Sequence, residues 1–381
     1  MSLATARRSE PRLAPPPRIA YFVHDLNDPA VERRIAAFSA GGADVAVAGF
    51  YRREPVRQVS GTRALALHRS HNGRLLMRAV LVLRRLLFAG KLRRHADGAQ
   101  VLVARTLEML VLAAGRREGR QALVYECLDI HRVMLRRDLL GRAMRALERM
   151  LLRRCALVVT SSPAFASHYF RGLQKYRGEV LLVENKVAGS AGSLPAPAPA
   201  GPPWRIGWFG MLRCAKSLAI LRGIVERSQG MIEVVLAGIP SHNEFDDFER
   251  EVRNTPGLSY AGPYSREDLP RLYGSVHFAW CIDYFEEGAN SEWLLPNRLY
   301  ESLAFGAVPI ALADVECGRW LEREGLGLRV AHGSDAGAVL GALAAEDFLD
   351  LQGAVRALPR GRVAFDDGDH LRLVARLGQC A

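Results

Sequence analysis

Apolar residues along the chain gather into short unbroken runs of strand length, separated by stretches in which they recur at helical spacing. Arg18-Ile-Ala-Tyr-Phe-Val23 is the first such run and reads as a buried strand. The polar loop His24-Asp-Leu-Asn-Asp-Pro29 follows it. A helical pattern over 30–40 comes next, closed by Gly41-Gly42, and then a second strand over 43–50. Strand, helix and strand in that order within about thirty residues make a βαβ unit, which predicts a parallel sheet. The same pattern predicts strands over 99–103, 122–126 and 156–160.

The alternation stops at residues 188–203, which are almost wholly Ala, Gly, Ser and Pro and read as a linker. It restarts with a strand over 205–209, a helix over 217–227 and a strand over 232–237. A strand at Leu258–Tyr260, a helix over 266–273 and a strand over 277–281 follow. Two doubly wound α/β halves, 18–187 and 204–360, therefore flank a hinge. An Arg- and Pro-rich lead over 1–17 reads as disordered, and 361–381 as a closing helix that packs back on the first half. In open α/β sheets ligands bind outside the carboxyl ends of the strands, so the site is expected in the cleft between the halves.

Within the second half, the stretch from Asn290 to Ile310 is the most specific. Pro296 suits a first helical turn, because its missing N–H would be unpaired there anyway. Asn297 and Glu301 lie four apart on one helix face, with Leu299 and Leu303 on the opposite one. Gly306 stands where a left-handed cap ends a helix, and Val308–Leu312 is an apolar run of strand length. A helix N-terminus offers free N–H groups and positive potential to a phosphate. A carboxylate one turn in can accept hydrogen bonds from ribose hydroxyls. The plain alternative is an amphipathic helix with one exposed glutamate.

Several motifs in order add to this stretch. They are Trp208-Phe-Gly210-Met-Leu-Arg213-Cys-Ala-Lys216, Leu236-Ala-Gly238, Tyr260-Ala-Gly262-Pro263, Asp268-Leu-Pro-Arg-Leu-Tyr273, and Asn297-Arg298-Leu-Tyr-Glu301-Ser-Leu-Ala-Phe-Gly306-Ala-Val-Pro309. Together they resemble the donor domain of GT-B glycosyltransferases, closest to the family 4-like enzymes of capsule and exopolysaccharide assembly. The resemblance covers about residues 204–330. It implies the GT-B fold, two Rossmann-like doubly wound domains facing a cleft, and a hexosyltransferase that uses a UDP- or GDP-linked sugar as co-substrate with no other cofactor. Arg213 and Lys216, just beyond a strand, would bind the nucleotide diphosphate and stabilise its charge as it leaves, in place of a metal ion. Met211 stands where the family has an arginine. Gly210, Gly238, Asn297 and Arg298 join the donor-nucleotide set, and Glu301 matches the family's second glutamate, on the ribose. Trp293 occupies the position of the first glutamate, so Glu292 and Trp293 are the donor-sugar candidates. In the first half, Asp25 and Asp28 follow the first strand and are candidate bases for an acceptor hydroxyl, or else an Asx turn and a helix cap. Asp129 and His131 follow a later strand and are further catalytic candidates, and the resemblance puts His131 at the donor sugar.

Charge separates the halves. Residues 1–190 hold 34 Lys and Arg against 15 Asp and Glu, a net of +19, whereas residues 191–381 hold 18 against 25, a net of −7. The basic half predicts a polyanionic partner, an anionic membrane surface or a nucleic acid. The surplus concentrates over 69–94 and over 136–154, where leucines at helical spacing alternate with arginines. Aromatic residues suited to base stacking are sparse there, so the membrane and a lipid-diphosphate-linked saccharide acceptor are favoured over nucleic acid. A helix of the sheet's own core explains the second group of leucines equally well. The six cysteines form no CxxC pair, and the apolar run over 77–90 is too short and too charged to span a bilayer. The expectation is a cytoplasmic protein, peripheral on the inner face of the cell membrane. The competing readings are a sugar-nucleotide epimerase on the same fold and a non-catalytic nucleic-acid- or membrane-binding protein.

Overall fold

The strand read at Arg18–Val23 forms with those bounds and is sealed from solvent from Ile19 onward in the computed structural model, which describes residues 16–69, 95–189 and 194–381. The apolar run over 77–90, nearly all of the basic stretch over 69–94 and residues 1–15 of the lead lie outside the described residues. The chain divides into two compact units. One comprises Met1–Ala104, Glu108–Val124 and Asp367–Ala381, and the other Arg105–Leu107 and Tyr125–Asp366. The 188–203 segment lies inside the second.

In the first unit, strand β1 (Arg18–Val23) is central. Around it stand β2 (Asp44–Tyr51), β3 (Gln58–Val59), β4 (Thr62–Arg69), β5 (Val101–Arg105) and β6 (Ala122–Cys127), in the order β3-β4-β2-β1-β5-β6. The division between units falls within β6 and before the last residue of β5. Ile19 lies beside Val45 on one side and Val101 on the other, both in parallel register. Parallel strands covered on both faces must be apolar throughout, which is why they were readable as unbroken runs. Helix Pro29–Ala40 starts at Asp28, whose carboxylate accepts from the Ala30 N–H at 2.8 Å, and buries Val31, Ile35 and Phe38. The closing helix Asp367–Gly378 packs on it so closely that a β-carbon on Gly41 would lie 2.4 Å from the His370 carbonyl oxygen.

The second unit holds the end of β6, then β7 (Leu157–Thr160) and β8 (Val180–Leu182), which pair in parallel. Helix Leu139–Leu152 precedes β7 and turns Gly141, Glu148, Leu151 and Leu152 inward. Glu148 is fully enclosed, and its carboxyl takes hydrogen bonds from the Tyr125 hydroxyl at 2.9 Å, the Tyr169 hydroxyl and the Gln174 amide. Leu139, Leu140 and Met150 are exposed, so the leucine spacing serves the core only in part.

The unit's larger sheet is parallel, in the order β11-β10-β9-β12-β13-β14. Its strands are β9 (Trp204–Leu212), β10 (Ile232–Pro240), β11 (Leu258–Tyr260), β12 (Phe278–Trp280), β13 (Val308–Leu312) and β14 (Leu328–Val330). β9 and β10 run three residues beyond their predicted ends, because Gly210 and Gly238 continue the pairing instead of stopping it. The two face each other at φ of 122° and 131°, and a β-carbon on Gly238 would stand 1.7 Å from the Gly210 carbonyl oxygen. Only glycine permits that approach.

Beneath β9, Trp204 packs against His277, Phe278 and Phe348 with ring centroids 5.1–5.8 Å apart. His277 Nδ1 accepts from the Arg205 N–H at 2.9 Å, so its Nε2 carries the proton donated to the Pro199 carbonyl at 2.8 Å. Burial holds the imidazole below its ordinary pKa, and the neutral ring is the form that fits. Its contribution is present above about pH 6.5, the unfolded-state value, and is lost as pH falls toward the lower folded-state value. The denaturant midpoint of the wild type should therefore drop as pH is lowered from about 7 to 5. His277→Asn, which has no titrating ring, should show a smaller drop. An equal drop in both proteins would remove His277 as the cause.

Candidate functional site

At the carboxyl edge of the larger sheet, the chain leaving β9 turns into helix Ala215–Arg227, whose first turn is capped by Cys214, with Sγ accepting from the Ser217 N–H at 3.4 Å. This turn places Arg213 and Lys216 side by side over the loop that leaves β12. The Arg213 guanidinium lies 4.5 Å from the Phe285 ring centroid, and Lys216 Nζ lies 4.3 Å from that of Tyr284. Lys216 also grips both carboxylate oxygens of Glu287, at 2.6 and 2.7 Å. Charge–quadrupole attraction to the rings aims the two cations.

The loop holds its own shape. Asp283 Oδ1 accepts from the Phe285 N–H at 2.8 Å and from the Ser291 hydroxyl at 3.0 Å, and the same hydroxyl accepts from the Glu286 N–H at 2.9 Å. Asn290, almost wholly buried, joins the loop to the end of β6. Its amide donates to the Asp129 carboxylate, and its carbonyl oxygen accepts from the Ile130 N–H at 3.1 Å. Asp129 and Arg213 are thereby brought together. Crowding by protein atoms raises the Asp129 carboxyl, although the residue keeps exposed surface. Arg213 and the Asn290 hydrogen bond oppose that rise, and Asp283 adds to it. Glu286 is raised likewise, by burial first and by Asp129 second. His131 Nδ1 accepts from the Val133 N–H at 3.2 Å and starts the short helix Arg132–Leu135.

Helix Asn297–Ala304 starts one residue later than predicted. Pro296 is its extended N-cap (φ −70°, ψ 150°) rather than its first helical residue, and Gly306 closes it at φ 85° as expected. Asn297 is exposed at the first position. Arg298 points inward, with Nη2 3.9 Å from Asp283 Oδ2, while its Nη1 is buried with no hydrogen-bond partner. Glu301 Oε2 accepts from the buried Tyr273 hydroxyl at 3.1 Å, and Glu301 helps to push the tyrosines 264 and 273 above their ordinary pKa after burial itself. Arg213, Lys216, Arg298 and Glu301 thus share the carboxyl edge of the larger sheet and its loops, and Asn290 ties Asp129, from the loop after β6, to the loop that leaves β12.

Glu292 is exposed. Trp293 stacks on His168 at 5.8 Å and 19°, and its carbonyl accepts from the Ser162 hydroxyl, which anchors the loop. In the other unit, Asp25 accepts from the Asn27 N–H at 3.1 Å and pairs with Arg52 at 3.2 Å, while Asp28 caps its helix and lies 3.5 Å from His24. Asp283, Tyr284 and Phe285 are not singled out by the sequence, which marks Asn290 only as the start of its most specific stretch and Glu287 only as an acid of the same loop. The available signal was their position, a charged and aromatic run directly after a buried strand.

No protein-family model matches the chain. The succinoglycan biosynthesis protein ExoL of Rhizobium meliloti (strain 1021) is 43% identical over an alignment 377 residues long, which covers 94% of this chain and 93% of that protein. Among solved structures, sucrose-phosphate synthase from Thermosynechococcus elongatus matches 95% of this chain and 98% of its own, with a TM-score of 0.71 at 15% identity. Anabaena Alr3699/HepE in complex with UDP and glucose matches 96% and 100%, with a TM-score of 0.70 at 14% identity. The glycosyltransferase from Rickettsia africae ESF-5 matches 96% and 97%, with a TM-score of 0.63 at 12% identity. Such low identities carry the fold alone, and that fold is GT-B. The identity to ExoL over almost the whole of both chains carries more: this chain belongs to the family of the succinoglycan biosynthesis protein ExoL.

Proposed function

We propose that the chain is a glycosyltransferase of exopolysaccharide assembly. It moves a hexose from a UDP- or GDP-linked donor to a lipid-diphosphate-linked saccharide, without a metal ion. The observation that carries the reading is the set of three cations at the carboxyl edge of the larger sheet, Arg213, Lys216 and Arg298, the last with a buried donor that has no partner. Breaking the bond from the anomeric carbon to the phosphate oxygen leaves the electron pair on the diphosphate, and fixed cations stabilise that developing charge. Glu301, one helical turn in from the same edge, would accept hydrogen bonds from the ribose. The related fold of Anabaena HepE, solved with UDP-glucose, supports a nucleotide-sugar donor. Asp129 and His131 would stand at the sugar end. Asp25 and Asp28 remain the candidate acceptor bases from the other unit.

The acceptor side rests on charge. Helix Leu139–Leu152 exposes Leu139, Leu140 and Met150 among the exposed Arg142, Arg153 and Arg154, a surface suited to anionic lipid headgroups. Among the described residues, no helix is long and apolar enough to cross a membrane. The protein would work from the inner face of the cell membrane as a peripheral enzyme.

A thermal-shift panel of UDP, GDP and their sugar conjugates should raise the melting temperature with one base preferred, and Glu301→Ala should reduce that rise. No stabilisation by any of them at millimolar concentration would end the donor-site reading. Sedimentation with phosphatidylglycerol vesicles should capture the protein at low salt and release it at high salt. Equal capture by neutral vesicles, or tight salt-dependent binding to DNA instead, would end the membrane reading.

A further inference from the structure

The loop beneath the cations has a feature that donor binding alone does not require. Lys216, the cation assigned to the diphosphate, already holds an anion: both oxygens of the Glu287 carboxylate lie within 2.7 Å of its Nζ. The same loop supplies Tyr284 under Lys216 and Phe285 under Arg213, and Tyr284 is itself tied down, its hydroxyl accepting from the Gly333 N–H at 3.0 Å. Glu287 is therefore presented to Lys216 by a braced loop rather than by a free surface chain. Hydrogen bonding to Glu287 is also the largest influence raising the Lys216 ammonium above its ordinary pKa.

We infer that Glu287 is an internal competitor for the diphosphate, a carboxylate that occupies Lys216 when the donor is absent and returns to it when the product leaves. The inference rests on the donor-site reading and sharpens it, by naming the residue that sets the affinity for nucleoside diphosphate. The two Glu287 oxygens take two of the three ammonium donors and add like charge beside the third, so a diphosphate binding Lys216 competes with Glu287 for donors and is repelled by it. After transfer the diphosphate carries more negative charge than it did in the donor, which would tighten its hold on the cations. A carboxylate ready to take Lys216 back lowers the cost of release. The pair is half exposed, with side-chain exposures of 50% and 56%, so water screens it and the competition is modest. The expected effect is about twofold to fivefold in Kd, the range spanned by exposed ion pairs.

The test is a double-mutant cycle read by titration calorimetry with UDP, GDP and uridine on wild type, Glu287→Gln, Lys216→Ala and the double variant. For the diphosphate that binds, Glu287→Gln should tighten binding about twofold to fivefold in the wild-type background and leave it unchanged in the Lys216→Ala background. Uridine, with no phosphate, should bind Glu287→Gln and wild type alike. If Lys216→Ala weakens the diphosphate but Glu287→Gln does not tighten it, the competitor role is wrong and the donor site stands. Equal tightening in both backgrounds would mean a general charge effect and would likewise overturn the competitor role. If the wild type binds neither diphosphate, or Lys216→Ala binds as well as wild type, the assignment of Lys216 fails and Glu287 with it. All four proteins should melt within a few degrees of one another, since both residues are exposed.

Discussion

The backbone contact between Gly210 and Gly238 is the constraint on which the site depends. The carbonyl oxygen of Gly210 stands where a β-carbon of residue 238 would be, so the two strands approach there only because residue 238 carries no side chain, while Gly210 is needed for its φ of 122°. That approach lets β9 and β10 stay paired as far as Leu212 and Pro240. The end of β9 in turn fixes where Arg213 emerges and where the helix bearing Lys216 begins. Gly238 is held from its other side as well, its N–H donating to the Gly262 carbonyl at 2.9 Å and its carbonyl accepting from the Tyr260 hydroxyl at 2.8 Å. Three neighbouring strands thus converge on the point from which the cations are aimed.

Electrostatics at this edge is a balance rather than a simple positive patch. Arg213, Lys216 and Arg298 face Asp129, Asp283, Glu286 and Glu287, and crowding by protein atoms raises Asp129 and Glu286 while Arg213 opposes the rise. A site that must bind a diphosphate and then release it benefits from such opposition. Cations without nearby acids would hold the product after the sugar had gone. The acids also keep the cations in place while the donor is absent, since Asp283 both shapes its loop and faces Arg298.

Much of this was legible in the sequence, for identifiable reasons. Buried parallel strands are apolar on both faces, so β1, β11 and β13 were read with their observed bounds. Gly306 marked the end of its helix because only a left-handed residue fits there. The opposite error came from Gly210 and Gly238, read as strand ends when they are points of close approach. Side-chain partners distant in sequence were not legible. Trp293 stacks on His168, Asn290 reaches Asp129, and Glu148 is enclosed by Tyr125, Tyr169 and Gln174; none of these pairings leaves a local pattern. Composition likewise showed a break over 188–203, but not that the Pro195 and Pro199 carbonyls are taken by Arg356 and His277.

The central claim is that the carboxyl edge of the larger sheet holds a nucleoside diphosphate through Arg213, Lys216 and Arg298, with Glu301 on the ribose. A crystal structure with UDP or GDP bound, whichever stabilises the protein, tests it most directly. The account predicts phosphate oxygens within hydrogen-bond distance of Arg298 Nη1 and Arg213, Glu287 moved off Lys216, and Glu301 against the ribose hydroxyls. A nucleotide bound elsewhere, or bound at this edge with its phosphates turned away from all three cations, would contradict it.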